Sequence, residues 1–153
     1  MDGIALRSSE IPEGFISQYH LGNRLHKSGS DLEYRFLAKD SRRLLPVRFQ
    51  GQFQIAMWGN QDTKCFLPRT AWTWKQTLDE GGWNKIGYHP VIIPSSRVLA
   101  NGIWYPTRQG VRGVIAFDKA QQPHVYVICR TPSRDYRVMT HTDRQPLLVD
   151  EEI

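Results

Sequence analysis

The sequence contains few cysteines and no long apolar run. Cys65 and Cys129 are the two cysteines among 153 residues, and we expect two free, half-buried thiols, since intracellular proteins rarely form disulfides. No stretch approaches the roughly 18 apolar residues that a membrane helix needs. The opening residues MDGIALRSSEIPEGF carry an early acid and do not match a signal peptide. These absences predict a cytoplasmic protein without a membrane segment.

The motifs that mark common cofactor and metal sites are also missing. The chain has no phosphate-binding loop, no glycine-rich dinucleotide fingerprint and no C-x-x-C pair. Gly81 and Gly82 follow a predicted helix and are interpreted as its end. His141 and Asp143 supply two metal ligands at most, which is too few for a structural site. We therefore predict no cofactor and no metal.

Positive charge and tryptophan are abundant. Twenty Lys and Arg against 15 Asp and Glu give a net charge of +5, and the isoelectric point is near 9.4. The sequence also contains five tryptophans. Cations that follow phosphates and rings that stack on bases are the components of a single-stranded nucleic-acid groove. The alternative is that the tryptophans lie in the core and the arginines on a solvated face. Composition alone does not choose between them.

The hydrophobic pattern predicts one α+β domain over residues 1–153, with few helices around a curved, mostly antiparallel sheet. Residues 1–30 are expected to be rich in loops, and the best helix candidate is RTAWTWKQTLDEGGW at 69–83. The predicted strands are 53–59, 90–94, 102–107, 110–118, 123–131, 136–141 and 145–150.

Two residue groups are candidates for catalysis by a small hydrolase. On the predicted strand at 136–141, His141 and the following Asp143 would face the same side, so the carboxylate would orient the imidazole. Cys65 has Lys64 and Arg69 nearby, and basic neighbours favour a thiolate. Cys129 lies within an apolar strand and is expected to be buried.

Read in order, three pieces of the sequence resemble the SOS-response-associated peptidase family, whose SRAP domain shields abasic sites in single-stranded DNA. The first is AMWGN at 56–60, and the second is PVIIPSS at 90–96, followed by ANGIW at 100–104. The third is VYVICRTPSRDYRVMTHTDRQPLLVD at 125–150, where the family has its last strands and an Arg-x-Pro segment. The resemblance covers most of residues 44–150 and implies a SRAP-like fold.

The resemblance also implies which chemistry is lost. Family members carry a cysteine directly after the initiator methionine, and it traps the abasic sugar as a thiazolidine. Position 2 is Asp2 here, so that crosslink cannot form. Leu67 occupies the place of the family's asparagine, and no carboxylate replaces the family's glutamate. His141 lies three residues before Arg144, whereas the family's histidine lies two before its arginine.

The resemblance implies single-stranded or abasic DNA as the partner of a divergent, phage-type member. The DNA-binding residues predicted on this basis are Arg69, Arg144, Trp58, Trp104 and Arg112. The catalytic candidates that remain are His141 and Asn101. The alternatives are the hydrolase described above and a non-enzymatic, phage-encoded protein whose basic face meets a host protein.

Overall fold

Residues 1–149, the part of the chain that the computed structural model describes, form two β-sheets and three short α-helices. The strands are β1 (Gly3–Arg7), β2 (Leu25–Ser28), β3 (Asp31–Leu37), β4 (Leu44–Phe49), β5 (Gln52–Trp58), β6 (Trp72–Trp74), β7 (His89–Ile93), β8 (Arg97–Ala100), β9 (Ile103–Pro106), β10 (Val111–Phe117), β11 (Pro123–Arg130) and β12 (Gln145–Pro146). The helices are α1 (Glu13–Gln18), α2 (Lys75–Asp79) and α3 (Arg134–Thr140).

The first sheet has the order β2-β3-β1-β8-β9, with β1 at its centre. Strand β1 pairs antiparallel with β3 on one side and with β8 on the other. Its side chains alternate across the sheet, so Ile4 and Leu6 face the core and are fully buried. The prediction that residues 1–30 are rich in loops did not include the strand at Gly3–Arg7, which lies at the centre of this sheet.

The second sheet closes into a small barrel. Its strands follow the order β10-β7-β4-β5-β11, and β11 pairs with β10 to complete the ring. The pairs are antiparallel except where β5 meets β11, and β6 adds to β11 in parallel. The barrel interior and the inner face of the first sheet share one apolar cluster, which includes Ile4, Phe36, Val47, Ile55, Val98, Ile115 and Val125. This shared core makes the two sheets one domain.

Strands β10 and β11 are buried on both faces. Ile115 and Val125 point into the barrel, while Val114 and Tyr126 face a second cluster that contains Trp83. Residues 60–88 carry the covering side chains of that second cluster, among them Leu67, Leu78 and Tyr88. Burial on both faces explains why the sequence of β11 is almost continuously apolar.

Two hairpins turn through two residues in the left-handed region. Gln50 and Gly51 join β4 to β5 with φ of 53° and 77°. Asn101 and Gly102 join β8 to β9 with φ of 49° and 80°. Positive φ at both central positions is the type I′ pattern, for which Asn-Gly is the strongest sequence signal. Asn101 therefore has a structural role in a turn.

The helix predicted at 69–83 and the strand predicted at 136–141 are both wrong as stated. Trp72–Trp74 is a strand, and the helix is limited to Lys75–Asp79. Residues 134–140 form α3, because the Ser133 side chain accepts the Tyr136 N–H at 3.2 Å and caps the first turn. Strand β12 is shorter than predicted, and residue 150 lies outside the described residues.

The remaining predicted strands are present with small shifts of their ends, and the α+β class with a mostly antiparallel sheet is confirmed. Among the described residues, no helix is long and apolar enough to cross a membrane.

Candidate nucleic-acid interface

Strand β6 places two tryptophans on one side of the barrel wall. Trp72, Thr73 and Trp74 pair in parallel with Val127, Ile128 and Cys129 of β11. Side chains alternate along a strand, so Thr73 points the other way and its hydroxyl accepts a hydrogen bond from the Trp83 indole at 2.8 Å. Trp72 is half-buried, whereas 38% of Trp74 is exposed. A helix would have separated the two rings.

Arg144 lies across both rings. Its guanidinium carbon is 5.7 Å from the ring centroid of Trp72 and 5.9 Å from that of Trp74, within cation–π range. The side chain is exposed, and no carboxylate pairs with it among residues 1–149. We call Trp72, Trp74 and Arg144 the tryptophan platform.

The segment that carries Arg144 is held by a helix end and short hydrogen bonds. His141 adopts the left-handed conformation at the end of α3, with φ of 53°, and reverses the chain. The hydroxyls of Thr140 and Thr142 are 2.8 Å apart, and the Gln145 side chain accepts the Ser133 N–H at 3.0 Å. His141 is exposed at this helix end, so the predicted strand that would have aligned it with Asp143 does not exist.

A shallow cleft adjoins the platform. It is lined by Trp74, Lys75, Gln76, Asp79, Cys129, Arg130 and Thr131. The Nε of Arg130 is buried and has no hydrogen-bond partner in the described part of the chain. Buried donors are nearly always paired in folded proteins, so this unpaired nitrogen is an exception in the lining of the cleft. Arg130 is one of the arginines in the strand-rich second half of the sequence that could form a basic surface, but it is not among the predicted site residues.

The thiol beside the cleft is not a nucleophile. Cys129 is fully buried, and its Sγ lies 3.5 Å from the Thr73 carbonyl oxygen. Burial raises the pKa of the Cys129 thiol to about 11, although Arg144 and the chain's amino group partly oppose the shift. Since the thiolate is the reactive form, Cys129 remains a protonated, unreactive thiol near neutral pH.

The two cysteines are therefore expected to differ in alkylation. Iodoacetamide at pH 8 should modify the half-exposed Cys65 of the folded protein and leave Cys129 intact, while both should react in denaturant. Intact-mass spectrometry counts one adduct in the first case and two in the second. Equal labelling of both thiols in the folded protein would contradict this arrangement.

The amino group of Met1 lies within electrostatic range of Arg144 and Cys129. The Met1 side chain is buried. The exposed Asp2 carboxylate accepts the backbone N–H of Asn101 at 2.8 Å. Burial lowers the pKa of the Met1 amino group; Asp2 and Cys129 oppose that shift, whereas Arg144 adds to it. The structure thus brings Asp2 to Asn101, and there a carboxylate supports a hairpin turn.

The two predicted tryptophans outside the platform, Trp58 and Trp104, have structural contacts. Trp58 is 2% exposed, and its indole N–H donates to the Ala71 carbonyl at 3.2 Å, so its ring is not available to a base. Trp104 is half-buried, and the guanidinium carbons of Arg35 and Arg97 lie 5.1 and 4.9 Å from its ring centroid. Both of these arginines are ion-paired with Glu33, so Trp104 belongs to a structural cluster.

Glu33 is the one buried carboxylate of the Trp104 cluster, which consists of Trp104, Arg35, Arg97 and Glu33. Arg97 donates to both oxygens of Glu33, at 2.7 and 2.6 Å, and the Nε of Arg35 donates to one of them at 2.9 Å. Desolvation would raise the pKa of Glu33, but the hydrogen bonds and charges of Arg97 and Arg35 outweigh it and lower the pKa. This cluster joins β3, β8 and β9 across the first sheet.

Arg69 and Arg112 are exposed at separate places. Arg69 lies in the loop before β6, without a hydrogen-bond or ion-pair partner among residues 1–149. Arg112 lies on β10 and donates to the Val149 carbonyl at 3.3 Å. Neither contacts the tryptophan platform through a described bond, so Arg144 is the predicted arginine that joins an aromatic site.

Cys65 does share a pocket with a histidine and an aspartate. His124 and Asp118 line that pocket with it, but both ring nitrogens of His124 face acceptors, the Gly59 carbonyl at 2.8 Å and the Asp118 carboxylate at 3.0 Å. Desolvation would raise the pKa of Asp118, but the hydrogen bonds from His124 and from the Gln122 N–H outweigh it and lower the pKa. A histidine held in this way is not a free base for Cys65.

Among residues 1–149, no three His, Cys, Asp or Glu side chains come together as they would around a metal ion. Comparisons with protein-family models, with curated proteins and with solved structures gave no match to this chain.

Proposed function

We propose that this protein binds single-stranded DNA on the tryptophan platform, as a divergent relative of the SRAP family that does not form the family's crosslink. The observation that carries the proposal is an exposed tryptophan ring, Trp74, beside two arginines, Arg130 and Arg144, that have no carboxylate partner in the described chain. Rings that stack on bases and guanidiniums that contact phosphates are what a single strand requires.

The charge of the whole chain supports the same partner. A net charge of +5 attracts a polyanion, and much of the affinity should come from phosphate contacts. The ordered motifs AMWGN, PVIIPSS and ANGIW support the relation to the SRAP family. The proposal places the protein in the cytoplasm, where Asp2 in place of the family's cysteine leaves DNA binding reversible.

Replacing Trp74 with alanine should weaken the binding of a single-stranded oligonucleotide by about 5-fold to 150-fold, because loss of one base–aromatic stack costs about 1–3 kcal/mol. Fluorescence anisotropy of a labelled oligo(dT) at low salt measures the effect. Phe66→Ala is the matched control, since Phe66 is an exposed aromatic outside the platform, and its affinity should equal that of the wild type.

Two arginine variants and an abasic oligonucleotide extend this test. Arg144→Gln and Arg130→Gln should each reduce the dependence of affinity on salt. An abasic oligonucleotide should leave no adduct that survives denaturation. The proposal fails if the wild type does not bind oligo(dT) at low salt, or if Trp74→Ala binds as tightly as Phe66→Ala. A stable adduct with abasic DNA would show that the protein does form a crosslink.

A further inference from the structure

A second pocket opens at one end of the barrel, where β4 and β11 begin and β5 and β10 end. Its cavity volume is about 420 Å³, in the range of small-molecule sites. The lining includes Arg42, Arg43, Asn60, Cys65, Asp118 and His124. The tryptophan platform does not contribute to it, so the pocket is separate from the proposed DNA surface.

The pocket has two guanidiniums without a carboxylate partner. Arg42 donates to the backbone carbonyl of Tyr19. The Nε of Arg43 is 3.1 Å from the amide oxygen of Gln61, when that amide is oriented to accept. No ion pair joins either arginine to an acid within residues 1–149. Both guanidiniums therefore line the pocket without a bonded carboxylate.

The acids at this end of the barrel are already engaged. The Asp118 carboxylate is paired with His124 at 3.0 Å. Asp62 accepts the N–H of Lys64 at 2.9 Å in its own turn. Asp40 pairs with Arg24 at 2.6 Å, and Arg24 itself donates to the Arg42 carbonyl. Within residues 1–149, Arg42 and Arg43 are therefore cations of the pocket lining to which no carboxylate is bonded.

The partly buried guanidinium of Arg24 lies close enough to Arg42 for their positive charges to repel each other. Burial is the main cause that lowers the pKa of Arg24; Asp40 opposes the shift, and the positive charge of Arg42 adds to it. An anion beside Arg42 and Arg43 would relieve this repulsion.

We propose that the pocket at the barrel end binds the oxyanion of a small molecule, a phosphate or carboxylate group, through Arg42 and Arg43. Guanidiniums present parallel donors that match such groups with two hydrogen bonds at once. His124 and Asn60 supply a rigid wall, because both are buried and held by the backbone carbonyls of Gly59 and Leu67.

Isothermal titration calorimetry of the full chain tests the proposal with three probes: inorganic phosphate, a deoxynucleoside 5′-monophosphate and acetate. Arg43→Gln should raise the Kd of the bound probe at least about tenfold, the effect of losing about 1.4 kcal/mol of charge-assisted hydrogen bonding. Arg48→Gln is the matched control, since Arg48 is exposed on β4, the strand that follows Arg43, and it should leave the Kd unchanged.

The probes separate the two sources of the anion. Tighter binding of phosphate or the nucleotide than of acetate assigns a phosphate group, and the reverse assigns a carboxylate. Trp74→Ala should not change any of these dissociation constants. The test of the anion pocket is therefore independent of the test of DNA binding. Absence of binding for all three probes at millimolar concentration, or equal binding by Arg43→Gln and wild type, would overturn the proposal.

Cys65 provides a readout that needs no variant. It lines the same pocket, so the bound probe should slow its alkylation by at least about twofold by excluding the reagent. Sodium chloride at the same ionic strength should have no such effect. Equal rates in the probe and in chloride would also contradict the site.

Discussion

Replacing Gly59 with alanine is expected to lower the free energy of unfolding by about 4 kcal/mol, near the upper end for a single substitution. Gly59 has a φ of 69°, and a Cβ there would lie 2.3 Å from the Thr70 carbonyl oxygen and 2.7 Å from the Ala71 Cα. Backbone atoms cannot move aside as a side chain can. Urea unfolding followed by tryptophan fluorescence measures the loss.

The conformational part of this loss can be separated from the steric part. Gly51 has a similar φ of 77°, but a Cβ there would meet nothing within 4 Å. Gly51→Ala should therefore cost only about 1 kcal/mol, the penalty for a left-handed alanine. Similar losses for the two variants would mean that the loop before β6 moves away from Gly59 without cost.

Replacing Glu33 with glutamine is expected to destabilise the protein by about 2–3 kcal/mol at pH 7. The change leaves the guanidiniums of Arg35 and Arg97 without their countercharge, and breaking a buried pair typically costs about 3–5 kcal/mol. We expect less because the two arginine side chains are 24% and 27% exposed, so solvent screens part of the charge.

Acid should reduce the stability that the ion pairs of Glu33 contribute. The folded pKa of Glu33 lies below the ordinary value of 4.5, so the ion pairs contribute their full stability above pH 4.5 and lose it as pH falls through the folded pKa. The difference between wild type and Glu33→Gln should therefore narrow in acid. Thermal unfolding between pH 3 and pH 7 measures it.

Asp79→Asn is the matched control for Glu33→Gln. Asp79 pairs with Lys75 at 2.7 Å, but the two side chains are 60% and 50% exposed. An exposed pair of this kind contributes little, so the variant should stay within about 0.5 kcal/mol of the wild type. If Glu33→Gln is as mild as this control, the Trp104 cluster does not stabilise the first sheet through its charges.

The parts of the fold that the sequence predicted well are those set by local pattern. Strands β7, β10 and β11 have apolar runs bounded by turn residues, and Asn101-Gly102 carries the conformation of its hairpin within two residues. The segment around Trp72 and Trp74 was not predictable in this way. A three-residue strand is held by its pairing with β11, more than 50 residues later, and the helical residues that follow it dominate the local pattern.

The candidate site also depends on contacts between distant segments, which the local sequence pattern does not predict. Arg144 is predicted from the resemblance of its Arg-x-Pro segment to that of the SRAP family, and the structure gives it two aromatic neighbours. The alternation Trp-Thr-Trp was the available signal for those neighbours, since a period of two is typical of strands. Trp58 and Trp104 could not be assigned to the core or to an ion-pair cluster without knowing which strands lie beside them.

Closure of the barrel is expected to be a late step in folding. Met57 and Trp58 must meet His124 and Val125, so the closing pairs join segments that are far apart in sequence. The entropy lost in closing such a long loop comes before any contact compensates for it. We infer that the β4–β5 and β10–β11 hairpins form early, and that the ring, with the pocket at its end and the platform on its wall, is completed last.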